Sequence, residues 1–271
     1  MTGPHTPIVV VVKDADLLAE LVAARLLTRL VEAQAVRGTA SVVLTGGGVG
    51  IACLEAVRRS PARAAVDWRR VDVWWGDERY LPADDPERNE LQARAVLLDH
   101  LDLDPDRVHP MGAGPGPDKG PDKGPDGRDE RPDEGPDAAA ERYVEQLRRA
   151  APPDHDVPPF DVLMLGMGPD GHTASIFPES PGAHDERLAF GVHGSPKPPP
   201  ERVSLGFAAL NAAREVWMIV AGADKAARVA LALSGPGRVQ VPAGGVSGTQ
   251  QTLWLLDEDA ASALPRDLRR R

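Results

Sequence analysis

The stretch Phe160-Asp-Val-Leu-Met-Leu-Gly-Met-Gly-Pro-Asp-Gly-His-Thr-Ala-Ser-Ile-Phe-Pro178 decides how the chain is read. Its first six residues, FDVLML, have the composition of a strand buried on both faces. The glycines that follow, Gly166, Gly168 and Gly171, spell G-x-G-x-x-G. After a strand, that pattern is a dinucleotide-binding turn only if a full helix follows, packed on the sheet at the third glycine. Pro169 lies inside the turn, and Pro178 limits any helix to a turn or two. Glu186, near the spacing of a ribose-binding acid, sits in the loop-like PESPGAHDER. Nucleotide binding is therefore disfavoured, and no cofactor is expected. His172 reads better as a base, because imidazole exchanges its proton near neutrality. Asp170, two residues earlier, is placed in sequence to orient or polarise it. The plainer alternative is a histidine in a polar loop. The concentration of Gly, Asp and His at a strand's carboxyl end argues against that alternative.

Strands and helices alternate on either side of this stretch. IVVVV (8–12), SVVLT (41–45), VDVWW (71–75), EVWMIV (215–220) and TLWLL (252–256) are apolar strand candidates. Asp14 is a candidate cap for a helix that carries Leu17, Leu18, Leu21, Val22, Leu26 and Leu30 at helical spacing and stops at Gly38. Further helices are expected near 51–59, 86–99 and 137–150, after Lys225, and at the C-terminus. The fold class is α/β, a parallel sheet covered on both faces, in one domain spanning 1–271. VDVWW reads as a central strand. The segment 112–137, GAGPGPDKGPDKGPDGRDERPDEGPD, interrupts the domain. It has no aliphatic residue besides one alanine and is expected to be a disordered surface insertion.

The 271 residues carry a formal net charge of −10. That sign disfavours nucleic acid or an anionic membrane as partner. No apolar run approaches the ~20 residues that span a bilayer. The N-terminus has no basic region before its short apolar segment, so it reads as a strand and not a signal peptide. The one cysteine, Cys53, excludes an internal disulfide and fits the reducing cytoplasm; it falls in an apolar helix and reads as core. The scattered histidines and the absence of a Cys/His cluster argue against a metal.

Three other places can carry chemistry. In LTGGGVGIA (44–52), Gly46, Gly47 and Gly48 lie between a strand and a helix. Their backbone N–H groups and the helix dipole make a phosphate cradle. No Gly-Lys-Ser/Thr follows, so it is not a nucleotide triphosphate loop. In WWGDERYLP, Asp77, Glu78 and Arg79 emerge beyond a strand's carboxyl end, where open α/β sheets bind ligands; a solvated loop with a local ion pair is the equal alternative. Lys225 opens a helix after EVWMIV, against the helix dipole, which an anionic ligand would explain as well as plain surface exposure would. Arg202, in ERVSLGF, is a further cationic candidate.

Together, TGGG, WWGDERYLP…RNE, FDVLMLGMGPDGHTASIFP, ERVSLGFAALNAAREVWMIVAGADKA and VPAGGV…TLWLLD resemble the glucosamine-6-phosphate isomerase/6-phosphogluconolactonase superfamily, on its lactonase side. The resemblance spans nearly all of the chain outside 112–137. It implies a Rossmann-like three-layer sandwich that binds no nucleotide, and hydrolysis of 6-phospho-D-glucono-1,5-lactone in the cytoplasm. The protein would act as a monomer or weak homo-oligomer on a small phosphosugar lactone. His172 matches the family's base, with Asp170 beside it. Gly46 to Gly48 match the phosphate loop, Lys225 a phosphate-binding lysine, and Arg79 and Asp77 the substrate-lining GDER block, expected to take part in catalysis with Arg79 or backbone N–H groups stabilising the oxyanion. Arg202 matches an arginine-containing block and is expected to bind the phosphate. The chain departs from the family with Arg88 before Asn89, with Gly244, and with Gly48 where a hydroxyl residue is usual. The sister isomerase/deaminase has an acid five residues after the histidine, where this chain has Phe177, and a tyrosine where it has Arg79. A non-catalytic sugar-phosphate sensor is the reading from another class; such sensors need not keep the histidine.

Overall fold

The computed structural model describes residues 6–115, 135–266 and 268. In chain order the elements are β1 (Ile8–Val12), α1 (Ala15–Arg37), β2 (Ala40–Leu44), α2 (Gly47–Arg59), β3 (Val71–Trp75), β4 (Asp77–Arg79), α3 (Asn89–Val96), α4 (Gly135–Ala150), β5 (Val162–Leu165), β6 (Ala189–Val192), β7 (Arg202–Leu205), α5 (Phe207–Leu210), β8 (Glu215–Val220), α6 (Ala226–Leu233) and β9 (Gln251–Asp257). Asp14 caps α1 by accepting from the Leu17 N–H at 2.9 Å, and Gly38 ends it in a left-handed conformation, φ 76°.

Six strands form a wholly parallel sheet in the order β1-β9-β8-β5-β2-β3. Alternate residues of each strand enter opposite cores. Val42, Leu44, Met164, Trp217 and Leu255 pack under α1, α2 and α3. Val43, Leu163, Leu165, Met218 and Trp254 pack against α4, α6 and a small second sheet. Burying each such side chain stabilises the fold by about 1.5–3 kcal/mol. The three-layer α/β arrangement expected from the sequence is the one observed. Among the described residues, no helix is long and apolar enough to cross a membrane.

Strand order places the site. From β2 the chain moves through α2 to β3, its outer neighbour; from β5 it goes on to β8, on the other side. The loops after β2 and β5 therefore diverge and leave a crevice above their carboxyl ends.

Several elements differ from the sequence reading. β3 is an edge strand and not a central one. Asp77–Arg79 is not a loop beyond it but strand β4 of an antiparallel sheet ordered β4-β7-β6. These strands have three or four residues each, too short for a periodic signal, and two adjoin glycine- or proline-rich stretches. Gly76 joins the two sheets: its N–H donates to Leu44 O at 3.0 Å, and its carbonyl accepts from Leu205 N–H at 2.9 Å. Turns, not a helix, follow β9 over 258–263. The ends of the 112–137 segment are built into the fold. Gly114 bridges Pro82, and residues 135–137 open α4, because Pro136 is suited to a first turn and Asp137 accepts from Gly191 N–H at 3.3 Å. The expectation of disorder for 116–134 lies outside the described residues.

The edge at β3 is closed by a side chain. Buried Tyr143 of α4 uses its hydroxyl to accept from Trp75 N–H at 3.0 Å and to donate to Trp75 O at 3.1 Å. Tyr143→Phe leaves both peptide groups unpaired in the core. A loss of about 1–3 kcal/mol in unfolding free energy is expected, read as a lower urea midpoint at unchanged m-value.

Candidate active site

A cleft of about 550 Å³ opens over the crevice. One wall is the loop after β2. Gly46 caps α2 without a side-chain hydrogen bond, so the first N–H groups of the helix are open to a ligand. A Cβ on Gly46 would lie 2.0 Å from Asn89 Oδ1, so only glycine fits there. Gly47 and Gly48 face open space. Asn89 is held across the cleft by donating its side-chain N–H to Asp77 O at 2.9 Å.

The facing wall is the loop after β5. Gly166 N–H donates to Thr45 Oγ1 at 3.3 Å, tying the two loops together. His172 sits on Gly168 so closely that a Cβ there would lie 2.1 Å from the imidazole Cε1. The second glycine of the G-x-G pattern thus makes room for the imidazole ring and not for a pyrophosphate. His172 Nδ1 is 2.5 Å from Asp170 Oδ1. That contact fixes the Nδ1–H tautomer and leaves Nε2 as acceptor. Burial raises the Asp170 carboxyl, but the hydrogen bond and charge of His172, its backbone N–H and Lys197 outweigh this and hold it down to about 2. Asp170 is therefore an anion throughout the neutral range, while His172 and not Asp170 lines the cleft.

Beyond His172 the chain reverses through a turn at Thr173–Ile176, with Ala174 left-handed at φ 47°. The reversal aims Ser175 at β4, where its hydroxyl donates to Asp77 Oδ2 at 2.6 Å. Asp77 and Arg79 alternate with Glu78 along β4, and Arg79 pairs in register with Arg202 of β7. Both arginines line the cleft. Burial lowers the Arg202 pKa, which Arg79 lowers further while Asp77 and Glu78 raise it. Glu78 points away and caps α3, accepting from the N–H groups of Asn89 at 2.7 Å and Glu90 at 2.9 Å, and from that of Arg79 at 2.8 Å. Burial pushes its carboxyl up to about 7 against the pull of Arg88 and these donors. Lys225 reaches the cleft from the turn before α6, its Nζ donating to Ala221 O at 2.8 Å.

A family model for glucosamine-6-phosphate isomerases/6-phosphogluconolactonase matches residues 13–254. The chain belongs to this family. It is 55% identical over 266 residues to the 6-phosphogluconolactonase of Streptomyces coelicolor, covering 97% of each chain. It is 45% identical over 253 residues to that of Mycobacterium tuberculosis, covering 93% of this chain and 96% of the relative. The solved 6-phosphogluconolactonase of Trypanosoma brucei superposes with a TM-score of 0.76 at 27% identity, over 96% of this chain and 99% of that one. A monomeric glucosamine-6-phosphate deaminase, at 18% identity and a TM-score of 0.72, shares the fold.

Of the expected site residues, Gly46, Gly47, Gly48, Asp77, Arg79, His172, Arg202 and Lys225 line one cleft, and Asp170 stands behind His172. Asp77 turns out to brace Ser175 and not to face outward alone. Asn89 and Lys197 also line the cleft and were not singled out from sequence. The proline-flanked SPKPPP was the available signal for Lys197. Among the described residues, no group of three or more His, Cys, Asp or Glu is arranged to hold a metal. Arg88, one of the departures from the family, is buried and donates to Met111 O at 2.8 Å and Leu81 O at 3.3 Å, bracing the start of α3, whose first residue is Asn89.

Two outcomes follow from this geometry. Gly168→Ala displaces the imidazole, and a loss of about a hundredfold in turnover is expected with the fold retained by circular dichroism. Glu78 has a folded pKa above its ordinary 4.5, so the folded state takes up its proton more readily than the unfolded chain. Its contribution is then complete below about pH 4.5 and is lost as pH rises through about 7. Urea midpoints of Glu78→Gln should lack that component of the pH dependence.

Proposed function

We propose that the protein hydrolyses 6-phospho-D-glucono-1,5-lactone to 6-phospho-D-gluconate, with His172 as general base. The observation that carries this reading is the His172–Asp170 pair, 2.5 Å apart, in a cleft whose other wall is an uncapped helix N-terminus. Its close relatives bear the name of that activity.

A lactone is an activated ester, so one base and one stabiliser of the developing oxyanion suffice. His172 Nε2 takes a proton from water as the water oxygen bonds to C1. The carbonyl π pair moves onto the C1 oxygen. On collapse, the bond from C1 to the ring oxygen breaks and the imidazolium returns its proton to that oxygen. The new carboxylic acid then ionises. Asp170 holds the ring and balances the imidazolium. The Gly46–Gly48 loop and Lys225 hold the 6-phosphate and so position C1 at a distance from the anchor, while Arg79 lines the substrate between them. An acidic protein with one buried cysteine suits the reducing cytoplasm, where this substrate would be met.

Phe177 weighs against the isomerase/deaminase reading. Its ring centroid lies 4.6 Å from that of His172, where the sister activity would place its carboxylate. The test is His172→Ala, assayed by coupling to 6-phosphogluconate dehydrogenase at mildly acidic pH, where spontaneous opening is slow. Hydrolysis above the spontaneous rate should fall about 10²–10⁴-fold with phosphosugar binding kept. Turnover near that of the parent would overturn the assignment, and ammonia release from glucosamine 6-phosphate would turn the reading to the sister activity.

A further inference from the structure

Ser195-Pro-Lys-Pro-Pro-Pro200 lies in the connection from β6 to β7. Four prolines fix φ at four of these six positions. The rest of the backbone is tied. Ser195 N–H donates to Pro200 O at 2.9 Å, while Ser195 Oγ donates to Lys197 O at 2.8 Å and accepts from Lys197 N–H at 3.3 Å. A proline run offers carbonyls and few donors, so its acceptors must be met from outside. Arg202 meets them. Its Nε donates to Pro199 O at 3.2 Å, and its Nη2 to Pro198 O at 3.0 Å and Lys197 O at 3.1 Å. Most of the fork that could grip a phosphate is engaged with peptide carbonyls.

Lys197 has the opposite character, with a fixed backbone and a head that pairs with the Asp170 charge at 4.0 Å while its N–H donors stay free of a close acceptor among the described residues. Its Nζ stands 4.0 Å from Asp170 Oδ1, beyond hydrogen-bonding reach, and its side chain is 42% exposed at the cleft. Lys225, by contrast, already donates to a peptide oxygen. Lys197 Nζ and His172 Nδ1 both approach Asp170 Oδ1, and both residues line the cleft, so this ammonium shares the part of the cleft that holds the base. For Nε2 to activate water against C1, C1 must lie at that same end.

Resting on the lactonase reading above, we infer that Lys197 is a catalytic residue that stabilises negative charge on the C1 oxygens, and that Arg202 is a positioning residue that holds its loop. Attack by water turns the neutral carbonyl oxygen into an oxyanion, and collapse ends in a carboxylate on the same carbon. A cation with free N–H donors serves both. Its attraction grows as charge develops, which lowers the barrier and not only the ground state. A stiff loop keeps the entropy lost on contact confined to one side chain.

The test compares Lys197→Met, Lys197→Arg and Arg202→Met with the parent enzyme. It reads kcat, KM, and competitive inhibition by 6-phosphogluconate and by inorganic phosphate. Lys197→Met should lose about 10- to 100-fold in kcat and bind 6-phosphogluconate more weakly, while inorganic phosphate inhibits as before. Lys197→Arg should recover much of the loss, and Arg202→Met should follow Lys197→Met in this pattern. Unchanged kcat in Lys197→Met, or an equal loss of both inhibitors, would overturn the role of Lys197. Loss of inorganic phosphate inhibition in Arg202→Met would return Arg202 to the phosphate site. A parent enzyme with no lactonase activity would sink the underlying reading instead.

Discussion

The hydrogen bond from Ser175 to Asp77, 2.6 Å long and buried at both ends, is the joint on which the site depends. The histidine loop hangs from the parallel sheet, while Arg79 and Arg202 stand on the antiparallel one. Without this contact, the base and the cations would belong to two bodies joined more loosely, at Gly76, through the Ser175 backbone and by apolar packing. Ser204 strengthens the joint by accepting from Ser175 N–H at 3.1 Å. The left-handed Ala174 is the local strain that aims Ser175 there, and the buried charge-assisted bond offsets it.

The parallel sheet was legible because its strands are runs of β-branched and aromatic residues, buried on both faces, which alternate with helical patterns. Asp14 and Gly38 marked the bounds of α1 by their own chemistry. The small sheet was hidden because a strand as short as Asp-Glu-Arg has no period to read. The position of β3 at the edge was hidden too, since Tyr143 and the layer over it keep it as buried as an interior strand.

At the site, His172 with Asp170, the glycine loop, Arg79 and Lys225 could be read because each residue type suits one task and the family blocks fixed their order. Arg202 was read as an anion ligand from its charge and its place in an arginine-containing block. Its hydrogen bonds to three carbonyls of a proline run, 195–200, are a long-range consequence of the fold that no charge pattern announces. The net charge of −10 likewise concealed a local excess of cations, since Arg79, Lys197, Arg202 and Lys225 share one cleft with Asp16 and Asp77. An acidic exterior with a cationic cleft concentrates the field where an anionic substrate must settle.

Arg88 has a bearing on how such a chain can be altered. Its guanidinium grips the backbone at Leu81 and Met111, so the start of α3, with Asn89, is clamped before the chain reaches Pro115. On the far side, Asp137 fastens the start of α4 to Gly191. Two anchored ends, fixed by partners on different elements, give an engineer defined points between which to graft a foreign peptide.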